Sequence, residues 1–288
     1  MQSWLIQESP CFSCGECQEE KLARIQKFRP IDDTFFEVLA EDKEVCEEIL
    51  QVILEDPELT VLSVQTQKSI KNLYGRSVRL DAVCRLGSGE TVNIEVQRSD
   101  NDNHLKRVRY NAACITASVT NPGDNFKQVP TVYAVYISEF DPFGLGFTTY
   151  HIDNTIRETK TVVDDGFHRI FVNTLVDDGT DRAKLMKCFL QTEVNDPKFP
   201  RISERVHFLK HSEGGIEQMC AIMEDYAKEY AKEYAKEYAK EYAKESDKKT
   251  AKQFFENGAG FELVKASLTT ISEEELREIY NSVNISNS

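Results

Sequence analysis

No stretch of this sequence approaches the roughly 20 consecutive apolar residues that a membrane-spanning helix needs. The opening MQSWLIQESP has no Lys or Arg, and its apolar run Trp4-Leu5-Ile6 is too short for a signal-peptide core, so the chain reads as cytosolic. Basic charge is in deficit. Lys and Arg number 35 against 49 Asp and Glu, and the net charge of -14 argues against a protein that coats nucleic acid or an anionic membrane over its whole surface. Tryptophan occurs once in 288 residues, yet 40% hydrophobic and 29% charged residues give the balance of a soluble globular chain, with room for one large domain or two modest ones. A disulfide framework finds no support. Cys46, Cys84, Cys114, Cys188 and Cys220 are scattered through apolar surroundings, where a reduced thiol behaves as a small hydrophobe.

Residues 1–27 read as a flexible leader, because CFSCGECQEE has no hydrophobic period. Cys11, Cys14 and Cys17 have the spacing to present three thiolates to zinc or an iron-sulfur cluster, but no fourth ligand accompanies them. IDDTFFEVLAEDKEVCEEILQVILED then sets Phe35, Phe36, Leu39, Val45, Ile49, Val52 and Ile53 at helical spacing, which predicts one or two helices. LTVLSV, SVRLDAVCRL, TVNIEVQ and TVYAVYI are strand-like, and Gly87-Ser88-Gly89 marks a hairpin between the second and third. NHLKRVRYNAACITASV, between the third and fourth, predicts a helix. The order is therefore helix, three strands, helix, strand. FTTYHI and HRIFVNTLV suggest two more strands, and DRAKLMKCFLQT opens on an acid-led helix signal.

From about Glu217 the character changes. YAKE repeats five times from Tyr226 to Glu245, built of good helix formers, and predicts a long solvated helix over 217–250. Beyond it, 251–288 reads as a helix stopped near Gly258, a second around Phe261–Ser267, and a third opened by a Ser272–Glu275 capping box with Ile271 and Leu276 as its hydrophobic staple.

The chemistry concentrates in RSVRLDAVCRLGSGETVNIEVQRSD, which puts one carboxylate in each arm of a hairpin. Strand alternation gives Arg79 and Asp81 one face, and Glu95 and Gln97 one face of the next strand. Ionised groups among Val, Ile and Leu need compensation. A divalent metal supplies it, since Mg²⁺ takes one or two carboxylates and fills its octahedron with water and phosphate oxygens. An ion-pair network does so too, and Arg79, Arg98, Arg107 and Arg109 are all at hand. From Lys71 to Tyr110 there are eight basic residues against five acidic ones, so this segment is +3 in an acidic chain and suits a polyanionic substrate.

Asp81 with Glu95-Val96-Gln97 resembles the metal-binding signature of the PD-(D/E)XK nucleases, in the variant where Gln replaces the usual Lys. As a set, GRSVRLDAV, NIEVQR, RVRYNAA, GDNFKQVPTVYAVYISEFDPFG, RIFVNT and QMCAIMED resemble the PD-(D/E)XK nuclease family transposases, related to the recombination-promoting nuclease/putative transposase group of bacteria, over about Phe28 to Asp225. That resemblance implies an α/β fold with a restriction-endonuclease-like mixed sheet core flanked by helices, here a nuclease-like domain over 28–216 with the long helix and small helical tail appended. It implies a Mg²⁺-dependent DNA endonuclease, with Mn²⁺ an alternative ion. Asp81 and Glu95 would hold the metal with the carbonyl of Val96, and Gln97 would orient the attacking water. Arg79 and Arg98 would stand beside the substrate, and Arg107 and Tyr110, matching an Arg-x-Arg-Tyr pattern, would contact phosphate or Glu95. Leu80 departs from the superfamily's Pro, and Asn111 stands where an aromatic is common.

Other features have plainer explanations. Asp33 and Phe36 fit the family's Asp-x-x-Phe opening, but Asp33 also suits a helix cap. Glu44, Glu47 and Glu48 offer a third carboxylate with no spacing that selects one, His207 and His211 form a lone i,i+4 pair, and Gly144 and Gly146 suit a turn. No separate DNA-binding module of known motif is present, so hydrolysis is better supported than strand joining. The competing classes are a catalytically silent regulatory or nucleic-acid-binding protein, with both acids neutralised by Arg and the tail mediating self-association, and an RNase using the same site.

Overall fold

The protein is described from a computed structural model over residues 18–71, 76–123 and 125–286. Contacts divide it into two units, Met1–Met223 and Glu224–Ser288. In chain order the first unit holds helices α1 (Gln18–Ile25), α2 (Asp33–Leu39) and α3 (Lys43–Leu54), then strands β1 (Val61–Ile70), β2 (Val78–Leu86) and β3 (Thr91–Gln97). Helix α4 (His104–Val119) leads to β4 (Val132–Ser138), β5 (Thr149–Ile152), the short β6 (Asn154–Thr155) and β7 (Val162–Val163), and β8 (Phe167–Asn173). Helices α5 (Asp181–Leu190) and α6 (Pro200–His211) precede α7 (Glu213–Glu256), which carries the chain into the second unit with α8 (Phe261–Ser267) and α9 (Glu273–Ser286).

The main sheet runs β1-β2-β3-β4-β8-β5. Its first two pairings are antiparallel, β3-β4 and β4-β8 are parallel, and β5 returns antiparallel to β8. The parallel centre is buried on both faces, so its strands are apolar almost throughout. One face carries the principal core, where Phe35, Phe36, Ile49, Leu50, Phe189, Ile202 and Leu209 meet Val92, Ile94, Val135, Ile137, Ile170 and Val172. Helix α4 covers the other face through Val108, Ala112 and Ile115. The expected order of helix, three strands, helix and strand holds, as does the mixed α/β class of a restriction-endonuclease-like fold.

Two expectations are corrected. The flexible leader expected over 1–27 is shorter, because Gln18–Ile25 is helical and Ile25 is fully buried. The connection after it is held by Lys210, itself fully buried, whose Nζ donates to the carbonyls of Gln26 (3.0 Å), Phe28 (2.6 Å) and Thr192. Cys11, Cys14 and Cys17 lie outside the described residues. The first strand, expected over LTVLSV, continues to Ile70 through QTQKS. As an edge strand it needs to bury little, so its second half shows no apolar run.

The second unit has its own small core of Ala251, Phe255, Val264, Ile271, Leu276 and Val283. Gly258, at φ 84°, takes the left-handed conformation just past the end of α7. The capping box forms: Glu275 N donates to Ser272 Oγ and Ser272 N to Glu275 Oε2, both at 3.3 Å. Upstream, Tyr226, Tyr230, Tyr234, Tyr238 and Tyr242 are all exposed.

Candidate active site

The hairpin of β2 and β3 does not pair along its whole length. Its last register pair is Ala82 with Ile94, so Asp81 and Glu95, next in line, fall where the two strands part. β3 continues to Gln97 because β4 supports its other edge, with Glu95 beside Tyr136 and Gln97 beside Ser138. Across the gap the Val96 amide donates to Asp81 Oδ2 at 3.0 Å, a carboxylate taking the place of a ladder carbonyl.

The outer hairpin changes faces at the same level. Val78 and Leu80 pack with Val83, Ala112 and Ile115 on the α4 side, whereas Ala82, Cys84 and Leu86 join the principal core. β1 does likewise, with Val64 on the principal core and Ile70 on the α4 side. Between them Gln67 has a left-handed φ of 48°. Strict alternation, the basis for putting Arg79 and Asp81 on one face, therefore breaks at the carboxylate. Arg79 is exposed and its Nε donates to Gln67 Oε1.

Glu95 is 2% exposed. Asn93 Nδ2 donates to its Oε1 at 2.9 Å, and Arg107 of α4 brings Nη2 to 3.7 Å from its Oε2. The same guanidinium donates through Nη1 to Gln97 Oε1 at 3.1 Å, while Gln97 Nε2 donates to the Ser99 carbonyl at 3.1 Å. Burial, and then the neighbouring charge of Glu95, push the Asp81 carboxyl well above its ordinary value. Burial also raises Glu95, against the opposing pull of the Asn93 hydrogen bond and the Arg107 charge. The pair is electrostatically unsatisfied as it stands.

The remaining expected residues fall elsewhere. Tyr110 OH donates to the Arg76 carbonyl at 2.5 Å and packs beside the α4-side core. Arg98 pairs with Asp32 (2.8 Å) and Glu139 (3.3 Å), and Arg29 joins the same two acids at 3.5 and 2.8 Å. This quartet ties the start of α2 to the residue after β4. Asp32, rather than Asp33, occupies the position before the first turn of α2, and its Oδ2 accepts the Arg29 amide at 2.7 Å. Asp33 instead contributes to the field around Asp81 and feels Arg107 and Arg98. Neither Asn93 nor the Arg29–Glu139 pairing carries a local sequence signal. The three glutamates of α3 are structural: Glu44 pairs with Arg201 at 3.1 Å, Glu47 accepts the Val61 amide at 2.7 Å, and Glu48 accepts the Arg201 and Ile202 amides at the start of α6. His211 pairs with Glu193 at 3.2 Å.

Whether the site suits a cation is decided by its donors. Glu95 Oε2 and Asn93 Oδ1 are buried oxygens with no hydrogen bond of ordinary geometry, although the Asn111 side chain and the Asp81 amide stand near enough to the Glu95 carboxylate to pull its titration down. Two buried carboxylates that repel each other, one with an orphaned oxygen, are what a hard divalent cation compensates. Among the described residues no three His, Cys, Asp or Glu side chains gather as a metal cluster, so further ligands would come from main chain, water and substrate, as Mg²⁺ accepts. The residues fit the ion.

A family model described as PD-(D/E)XK nuclease family transposase matches residues 34–253. No curated protein and no solved structure matches the chain. The matched span starts within α2 and ends in α7, taking in the parted strands, both buried carboxylates and the helix that brings Arg107 to them. The chain belongs to the PD-(D/E)XK nuclease family transposases.

Proposed function

We propose that the protein is a Mg²⁺-dependent endonuclease that hydrolyses DNA phosphodiester bonds, with Mn²⁺ able to substitute. The observation that carries this reading is the orphaned, buried Oε2 of Glu95 beside Asp81 where β2 and β3 separate. Asp81, Glu95 and the Val96 carbonyl would hold the cation, which when bound supplies water activation and neutralises phosphoryl charge. Gln97 accepts from Arg107 through Oε1, which aims its amide nitrogen, now on the Ser99 carbonyl, at an oxygen acceptor. An amide in this role aligns water without changing charge, so its contribution is orientation. Arg107 pulls the Glu95 carboxyl down against the larger effect of burial and lies near enough to offset negative charge on substrate phosphate.

A catalytically silent binding protein is favoured by one observation, the approach of Arg107 to Glu95. At 3.7 Å that contact leaves Oε2 without a hydrogen bond, and Asp81 accepts only a main-chain amide among the bonds seen, so neither acid is neutralised by a bidentate arginine. Supercoiled plasmid incubated with wild type and Asp81→Asn, under Mg²⁺, Mn²⁺ or chelator, separates the two. Nicking by wild type alone, and only with metal, supports the nuclease. Absent nicking supports the silent protein, nicking that persists in chelator or in Asp81→Asn counts against this site, and parallel labelled RNA and DNA duplexes decide the substrate.

A further inference from the structure

We propose that Tyr136 and His104 are positioning residues of this site, a buried hydrogen-bonded clamp that fixes the first turn of α4 and thereby the guanidinium of Arg107 against Glu95 and Gln97. The inference rests on the nuclease reading for its catalytic consequence, and on the geometry alone for the clamp.

Tyr136 stands beside Glu95 in the parallel β3-β4 register, so both side chains rise from the same face of the sheet, the one α4 covers. Tyr136 OH lies 2.7 Å from His104 Nδ1, and His104 Nε2 lies 2.8 Å from Asp100 Oδ1. A carboxylate only accepts, so Nε2 carries a proton towards Asp100, and in the neutral imidazole Nδ1 is then the acceptor for the tyrosine hydroxyl. The imidazole is also gripped from its side by Phe140, at 4.8 Å between ring centroids.

Packing alone does not ask for this chemistry. Tyr136 is 1% exposed and lies among Val108, Ala134 and Phe171, where a phenylalanine would fill the same space. A buried hydroxyl is unfavourable without a partner, and here its partner is the first residue of α4. Arg107 follows at i+3 on the same helix face. Its side chain is 37% exposed on a long, flexible stem, so the pose of its guanidinium between Gln97 and Glu95 depends on where the first turn is held. Asn103 caps that turn by accepting the Lys106 amide at 3.0 Å, and the His104 clamp locks it to the sheet.

The test compares wild type, Tyr136→Phe, Arg107→Ala, the double variant and Phe171→Leu, which disturbs the Tyr136 ring contact without touching the hydrogen-bonded chain. Two readouts are taken: steady-state cleavage of a labelled duplex at saturating Mg²⁺, and the Arg107 guanidinium ¹⁵N resonances of the metal-free protein, assigned by their loss in Arg107→Ala. Tyr136→Phe is expected to shift those resonances and to lower kcat about tenfold, with KM within about twofold, because a small misplacement of a positioned group acts on the chemical step. The double variant should be no slower than Arg107→Ala, and Phe171→Leu should lower the melting point yet keep kcat and the resonances. Unshifted resonances, additive losses in the double variant, or an equal kcat loss in Phe171→Leu would each overturn the clamp. Resonances shifted in Tyr136→Phe, beside a wild type that cleaves nothing, would uphold the clamp and remove the nuclease reading instead.

Discussion

The carboxylate of Asp81 accepts the main-chain N–H of Val96 at 3.0 Å, one position beyond the last pair of the β2-β3 ladder. A side chain has replaced a strand carbonyl at the point where the sheet must open, so the charge that would serve chemistry also closes the local hydrogen-bond account. The arrangement leaves the metal-free protein with two buried carboxylates that repel each other.

The effect on stability has a sign. Asp81 and Glu95 both titrate above their ordinary values, chiefly through burial, so the folded state binds these protons more tightly than the unfolded chain. The stabilisation is complete below the unfolded carboxylate range and is lost as pH rises through the raised native values. At neutral pH without metal, Asp81→Asn should therefore raise the melting point by about 2 to 4 °C, the shift that ~1 kcal/mol gives a domain of this size. Mg²⁺ should stabilise wild type and not the variant. Calorimetry in chelator and in Mg²⁺ checks both; a variant less stable than wild type in chelator counts against the unsatisfied pair.

Gln97→Ala should lower kcat about 10- to 100-fold while changing metal affinity by less than about threefold, since an amide that aims water acts mainly in the transition state. Metal titration by calorimetry beside single-turnover cleavage measures the two quantities separately. Equal losses in both would make Gln97 part of the metal site.

Arg107→Ala removes the cation that favours ionised Glu95, so the acidic limb of the cleavage profile should move to higher pH. The sequence leaves Arg107 two partners, phosphate or Glu95, and phosphate contact predicts that its loss flattens the salt dependence of nucleic-acid affinity. With the guanidinium donating to Gln97 and lying near Glu95, the pH shift should exceed any change in salt slope. A flatter slope with an unmoved pH limb would return Arg107 to the substrate.

Lys210→Met tests the clamp on the connection between α1 and α2. The ammonium satisfies three main-chain carbonyls in a fully buried position, and its loss should destabilise the protein by about 3 kcal/mol. Urea denaturation checks the value, and a loss below about 1 kcal/mol would mean that water reaches the freed carbonyls.

The legible parts of the fold are those written in local periodicity. The strands around Gly87-Ser88-Gly89, the helix from His104 and the Ser272–Glu275 capping box each follow from spacing within a few residues. The face change at Asp81 does not, because it depends on a left-handed Gln67, and glutamine gives no signal for positive φ. Asp81, Glu95 and Gln97 were visible as strand-borne polar groups in an apolar setting. Arg98 and Tyr110 were visible as residues but not as partners, since Glu139 and Arg76 reach them only through the tertiary fold. Asn93 read as an ordinary strand residue until its amide met Glu95.

The YAKE repeat supplies the last prediction. Each four-residue step turns a helix by about 400°, so the tyrosine stripe drifts by roughly 40° per repeat and about 160° over four steps. A left-handed coiled coil needs apolar residues every 3.5 positions on average, and this stripe drifts the opposite way, so it cannot keep one seam against a partner. The exposure of Tyr226 to Tyr242, from 40% to 69%, agrees with a helix whose aromatic residues are solvated. The spacing from Glu229 to Lys232 and its equivalents suits i,i+3 ion pairs that support the helix; the Glu229, Glu233 and Glu237 side chains lie outside those described. Ala, Lys and Glu, good helix formers at three of every four positions of the repeat, sustain this part of α7 regardless. Deleting Tyr230 to Glu237, two whole repeats, should leave plasmid cleavage and the number of chains per particle unchanged and shift the melting point by less than about 2 °C. Light scattering that shows an oligomer falling to monomer on deletion would make the repeat an interface and end its reading as a spacer.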